Sequence, residues 1–293
     1  MAFATFTALS QAASEAGSIA QAVVAQESRE QDVTPESIYE RLHETLAVMR
    51  EAVARGLDPA LRSRTGLTGG DSARIMANTA PDVAGPVFSR ALALSVATVE
   101  VNAAMGRIVA APTAGASGVV PGVLLALAEE HDLDDDQLVD ALLTAAGIGS
   151  IYAATATLSG AAGGCQAEVG VGASMAAGAA VTLLGGSIEQ VGHAASLAMQ
   201  GQLGLVCDPV AGLVEIPCIM RNATGASVAL AGAQMALAGV TFALPFDEVV
   251  RASARVGASL PPSLRETAKG GLAQTPTACR IAAQLAEKQH KTL

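Results

Sequence analysis

Three of the four cysteines in this chain, Cys165, Cys207 and Cys218, sit in strings that do more than fill a core: Gly163-Gly164-Cys165, Cys207-Asp208-Pro209 and Ile216-Pro217-Cys218. A thiolate is a soft metal ligand and a nucleophile, and glycine or turn residues beside it let backbone N–H groups point at sulfur. Forty-one residues separate Cys165 from Cys207 and ten separate Cys207 from Cys218, so no pair has the two-residue spacing of a zinc finger or a bacterial ferredoxin. A local knuckle is excluded. Two readings remain side by side: a metal centre, in particular an iron–sulfur cluster, assembled from distant loops, or thiols buried as small hydrophobes. Disulfides are disfavoured by the length and by an N-terminus without a secretory pattern.

A second candidate is the string Pro112-Thr113-Ala114-Gly115-Ala116-Ser117-Gly118. Thr113 carries a hydroxyl, and Gly115, Ala116, Ser117 and Gly118 offer backbone N–H groups ahead of a helix expected over 121–130. Such donors suit a carboxylate. An ordinary glycine-rich helix entry is the competing reading. Arg221 and Asn222 follow Cys218 closely and either contact a substrate or fix the loop. Asp208 and Glu215 lie between two cysteines and are expected to face away or to pair with Arg221. His193 reads as a packing residue, His43 and His131 as helix-surface residues. No lysine stands in a setting that suggests a Schiff base, so pyridoxal phosphate is not expected.

The elements that must position these residues read as helices. Thr34-Pro35 has the form of an N-cap with proline at the first helical position, and Ile38, Leu42, Leu46, Met49 and Val53 then share a face, with Gly56 at the end. Asp134, Asp135 and Asp136 favour a helix N-terminus ahead of Leu138, Ala141, Leu142 and Ala145. Ser187 and Gln190 form a capping-box pair that opens a segment toward Met199. A further helix is expected from Asp247 through Arg255. Alternating or β-branched runs are scarce, and Val119-Val120 is too short for a strand. The expectation is an all-α, compact Ala/Gly-rich helical domain with glycine-rich active-site loops, undivided over residues 1–293. Residues 57–90, with Gly66, Gly69, Gly70, Pro81, Gly85 and Pro86, are the most loop-like, and the last dozen, with Glu287, Lys288, His290 and Lys291, read as a solvated end.

Composition bounds the function class. The 293 residues suffice for a sizeable core, and 17 basic against 27 acidic side chains give a net charge of −10, which disfavours nucleic acid and anionic membranes as partners and favours a small metabolite. Mean hydropathy is +0.43, and the stretches Ala141–Cys165 and Ala226–Phe246 lack charge. Their apolarity comes from Ala and Gly, and with no Trp and two Tyr there is no aromatic belt, so a densely packed helical core is expected rather than a membrane bundle. A cytoplasmic location is the expectation.

The strings PTAGASGVVPGVL from Pro112, GCQAEVG from Gly164 and LGLVCDPVAGLVEIPCIMRNA from Leu203 resemble the iron–sulfur-dependent L-serine dehydratases, and more narrowly the α subunit of the two-chain bacterial form; GLTGGD from Gly66 and ETAKGGLAQTPT from Glu266 are similar too. The resemblance implies a 4Fe-4S cluster held by Cys165, Cys207 and Cys218, with one iron left as a Lewis acid for the β-hydroxyl of L-serine, and substrate contacts from Thr113, Gly115, Ala116 and Ser117. It implies deamination of L-serine to pyruvate and ammonia, a general base that these residues do not name, and a separate β subunit, since single-chain relatives carry a further β domain. Single-chain relatives can also carry a cysteine at the very C-terminus, whereas this chain ends in Lys-Thr-Leu. Cys279 lies in TPTACR, where the match does not require cysteine, and is not expected to be a ligand. A cysteine desulfidase-like lyase and a non-catalytic iron–sulfur or zinc scaffold are the alternatives.

Overall fold

The structure is a computed structural model that describes residues 3–80 and 82–292; Pro81, and the side chains of His290 and Lys291, fall outside the described residues. Thirteen α-helices follow one another among the described residues: α1 (Phe6–Ala16), α2 (Ile19–Gln31), α3 (Pro35–Gly56), α4 (Asp71–Met76), α5 (Pro86–Ala103), α6 (Val119–Glu130), α7 (Asp135–Thr155), α8 (Gly160–Gly163), α9 (Val169–Leu183), α10 (Ile188–Gln200), α11 (Cys218–Leu237), α12 (Phe246–Ser259) and α13 (Pro276–Thr292). The β structure among the described residues is a single isolated parallel bridge, Cys207 to Arg265. The fold is all-α, as the residue pattern predicts.

The helix starts lie where their caps place them. Thr34 accepts from the Ser37 amide with Pro35 behind it, and both Asp134/Gln137 and Ser187/Gln190 close reciprocal capping boxes. Each such cap satisfies amides that have no partner inside the helix, and its loss costs about 1 kcal/mol. The loop-like region 57–90 is shorter than composition suggests. Glu100, buried on α5, accepts from the amides of Asp71 and Ser72 and from the Ser72 hydroxyl (2.8, 3.4 and 3.0 Å), so it caps α4 from outside. Of the uncharged stretches, Ala141–Cys165 breaks after Thr155 and Ala226–Phe246 leaves the helix after Leu237.

α9 is the centre of the domain, packed against α6, α7, α10 and α11. Its sequence VGVGASMAAGAAVTL is buried around the whole helix apart from Thr182, which an amphipathic surface helix never is. Small side chains bring the neighbours close. A methyl group added at Gly225 of α11 would stand 2.8 Å from Val169 Cγ1, and one at Gly232 would stand 2.9 Å from the Ala194 carbonyl oxygen of α10. The sparse polar groups of this core are paired: the Tyr152 hydroxyl on α7 donates to Ser174 Oγ on α9 (3.0 Å), which donates to the Ala195 carbonyl on α10 (2.9 Å). Tyr152 and Phe6 meet Phe246 edge-on at 5.6 and 5.7 Å and close the end of the bundle. α7 is long and apolar enough to cross a membrane by length and composition; 67% of its most apolar window is buried inside the protein, as in a core helix.

Candidate active site

The cysteines arrive on three separate segments. Cys165 follows α8 in a 3₁₀ turn leading into α9, Cys207 lies in the loop after α10, and Cys218 is the first residue of α11. All three are buried free thiols, whereas Cys279 is exposed on α13. Burial pushes the Cys165 thiol up to about 11 and the Cys218 thiol up to about 12. The Cys207 thiol is raised by burial first, and further by the neighbouring Cys165, Glu168 and Cys218. Among the described residues no three His, Cys, Asp or Glu side chains stand close enough to hold a single metal ion.

Polar side chains fix each segment. Gln166 donates from Nε2 to the Ser253 carbonyl of α12 (2.7 Å) and accepts the Gly204 amide (2.8 Å), while its own amide donates to the Leu205 carbonyl (3.0 Å). That pins the Cys165 turn to the segment just before Cys207. The Cys207 amide donates to the Leu264 carbonyl (2.9 Å) and its carbonyl accepts from the Glu266 amide (2.7 Å), so ETAKGGLAQ lies along the cysteine loop. Glu266 holds φ 62°, a left-handed conformation that costs a non-glycine residue about 1 kcal/mol and persists only where surroundings dictate it. Asp208 pairs with Arg221 at 2.8 Å, as the sequence allows. Glu215 turns the other way and accepts from the hydroxyls of Thr65 (2.8 Å) and Thr68 (2.6 Å), which ties GLTGGD to the residues ahead of Cys218.

Asn222, fully buried on α11, joins the second candidate loop to the third cysteine. Its Oδ1 accepts the Gly118 amide (3.0 Å), and its Nδ2 donates to the carbonyls of Gly115 (2.8 Å) and Cys218 (2.9 Å). Within PTAGASG the residues then divide. Ala116 and Ser117 are fully buried, the Ser117 hydroxyl donates to the Ala114 carbonyl (2.8 Å), and the amides of Ala116, Ser117 and Gly118 are engaged inside the protein. Thr113 and Gly115 face Glu168. The Thr113 hydroxyl donates to Glu168 Oε1 at 2.7 Å, and a methyl on Gly115 would stand 3.3 Å from the same oxygen.

Glu168 is the residue that motif reading passes over. Its other oxygen lies 3.9 Å from Cys207 Sγ, so one carboxylate touches both candidate groups. Gly160 of α8 makes room: any side chain there would press on Glu168 Oε2 and stand 3.2 Å from the Cys207 sulfur. Burial raises the Glu168 pKa above the usual carboxylate range, the Thr113 hydrogen bond opposes that rise, and the charge of Glu266 adds to it. A signal was present in the sequence, where Glu168 is the only charged residue between Asp140 and Glu189. A solitary charge in so apolar a stretch must be paired or used. The three histidines whose side chains are described stay outside: His193 Nδ1 accepts the Phe242 amide as a packing residue, His43 pairs with Asp136 at the surface, and His131 ends α6.

This arrangement, one carboxylate raised by burial between a hydroxyl and one of three buried thiols, suits proton transfer. Residues 14–273 match the model of the serine dehydratase alpha chain family. The chain is 48% identical to the probable L-serine dehydratase alpha chain of Bacillus subtilis, over 88% of this chain and 87% of that one. It is 43% identical to the L-serine dehydratase alpha chain of Peptoniphilus asaccharolyticus, over 88% and 89%. Against the L-serine dehydratase of Streptomyces coelicolor it is 42% identical over 83% of this chain and 55% of the relative. With the match running through all three cysteine segments and both tied loops, the chain belongs to the serine dehydratase alpha chain family.

Proposed function

We propose that this chain is the catalytic α subunit of an L-serine ammonia-lyase that forms pyruvate and ammonia, with a 4Fe-4S cluster on Cys165, Cys207 and Cys218 and a separate β subunit. The observation that carries the reading is the Glu168 carboxylate set between the Thr113 hydroxyl and the buried Cys207 thiol in a member of this family. The donor set suits the cluster by its chemistry, three soft sulfur ligands on three segments. When bound, such a cluster supplies a Lewis-acidic iron that polarises the β-hydroxyl as it leaves.

The remaining work falls to side chains of this chain. Glu168 is the general base, taking the α-proton on a carboxylate oxygen, a role supported by its contacts with Thr113 and Cys207. Thr113 orients that carboxylate, and Gly115 and Gly160 keep the space around it free of side chains. Ala116 and Ser117 shape the loop from behind. Loss of the α-proton and the β-hydroxyl as water gives aminoacrylate, which tautomerises to the imine and hydrolyses to pyruvate and ammonia. A cytoplasmic location accords with reduced thiols.

The test is anaerobic iron and sulfide analysis of the chain co-expressed with its β subunit, alongside pyruvate release from L-serine and from L-cysteine. Iron and sulfide in near-equal amounts with faster turnover of serine is the expected result. Zinc without iron would overturn the cofactor reading, and preference for cysteine would move the assignment to a desulfidase.

A further inference from the structure

Arg221 has a position that the reaction scheme leaves unused. It lies one turn beyond Cys218 on α11, so it projects from the same end of the helix. Its Nη1 donates to the Val206 carbonyl at 2.8 Å, on one side of Cys207, and its Nη2 forms an ion pair with Asp208 Oδ1 at 2.8 Å, on the other. That pair is electrostatic in kind, because the guanidinium approaches Oδ1 off the hydrogen-bonding direction. Asp208 is itself held from the far side, where Oδ2 accepts the Leu272 amide at 2.6 Å. One guanidinium therefore grips the Cys207 loop on both flanks and starts from the Cys218 helix.

We propose that Arg221 is the positioning residue of the three-cysteine site: its planar fork locks the Cys207 loop onto the first turn of α11, and its charge is the local counter-ion of the sulfur ligands. The proposal rests on the cluster reading above. The physical need is plain. Three sulfur ligands and the Glu168 carboxylate gather negative charge in a water-poor place, and such charge is tolerated only beside a compensating cation. Arginine suits the task where lysine does not, since Nη1 can donate to Val206 while Nη2 holds its charge beside Asp208.

The experiment compares wild type, Arg221→Gln and Arg221→Lys, each co-expressed with the β subunit and reconstituted anaerobically. Iron and sulfide per chain, cluster lifetime in air, the reduction potential of the cluster and Tm are measured. Arg221→Gln is expected to retain iron about 10- to 100-fold more weakly and to shift the potential to lower values, because a nearby positive charge has gone. Arg221→Lys keeps the charge and loses the fork, so its potential stays at the wild-type value while its cluster lifetime falls between the other two. Should Arg221→Gln fail to fold, Arg221→Lys decides: a cluster lifetime equal to wild type overturns the proposal. A folded Arg221→Gln with wild-type retention and potential overturns it too. A wild-type chain that takes up neither iron nor sulfide overturns the cofactor reading and this proposal together, which separates the two failures.

Discussion

The α9 core and the cysteine loops are both buried, and they are built on opposite rules. Around α9 the contacts are methyl groups and glycine hydrogens, with only occasional polar links such as Tyr152 to Ser174 to Ala195. In the loops, Gln166, Asp208, Glu215 and Asn222 are all buried, and each makes a hydrogen bond to a residue of another segment. Shape holds the first region and specific pairing holds the second. A buried amide satisfied by one particular carbonyl fixes register in a way that alanine against alanine cannot. The two regions should therefore fail differently: damage to the core lowers stability with little effect on turnover, and damage to the loops stops turnover first.

The largest separation is expected at Glu168. Glu168→Gln preserves shape and can still accept from Thr113, and it removes the proposed base. Pyruvate release should fall by about 10²- to 10⁴-fold, while Tm stays level or rises because a carboxylate penalised by burial is gone. Activity within a few-fold of wild type would transfer the base to another group. Asn222→Ala comes next and should affect both properties. It strands the Gly118 amide and the Gly115 carbonyl, at about 1–3 kcal/mol for each buried group left unpaired, and it frees PTAGASG from the Cys218 turn. Thermal unfolding and kcat should drop together; a fall in Tm alone would make Asn222 part of the core by behaviour.

Gly232→Ala tests the other side of the contrast. Its new methyl would stand 2.9 Å from the Ala194 carbonyl and 3.2 Å from the Ala198 amide nitrogen, both backbone atoms that give way only if a helix moves. Overpacking of this kind costs about 1–3 kcal/mol, or roughly 2–4 °C of Tm per kcal/mol in a chain of this size class. The kcat measured below the unfolding transition should match wild type. Loss of turnover without loss of Tm would mean that α10 and α11 transmit position to the site, and the two rules would no longer be separable.

The same contrast explains what could be read from residues alone. Caps and periodicity are local, so Thr34-Pro35, Asp134/Gln137 and Ser187/Gln190 announced their helices, and the Ala/Gly content announced a closely packed all-α core. The three cysteines and PTAGASG were legible as strings. Which members of a string face the same space is a tertiary fact, however: Ala116 and Ser117 look as exposed in the sequence as Thr113 and Gly115, yet only the latter pair meets Glu168. Glu100 escaped for a similar reason, since it caps a helix that begins 29 residues earlier in the chain.

Thr113 offers the smallest and most discriminating change. Its hydroxyl donates to Glu168 Oε1 at 2.7 Å while its methyl adds only bulk, so Thr113→Val removes one hydrogen bond and almost no volume. A hydrogen bond to a charged group contributes about 1.5 kcal/mol at the low end, which is roughly a tenfold loss in kcat if the bond matters most as the proton moves. Thr113→Ser restores the hydroxyl without the methyl and should recover most of that rate, and Tm, lowered in Thr113→Val by the stranded carboxylate oxygen, should recover with it. If valine and serine behave alike, the loop contributes bulk rather than direction to Glu168. The site would then share the rule of the α9 core, where volume alone decides.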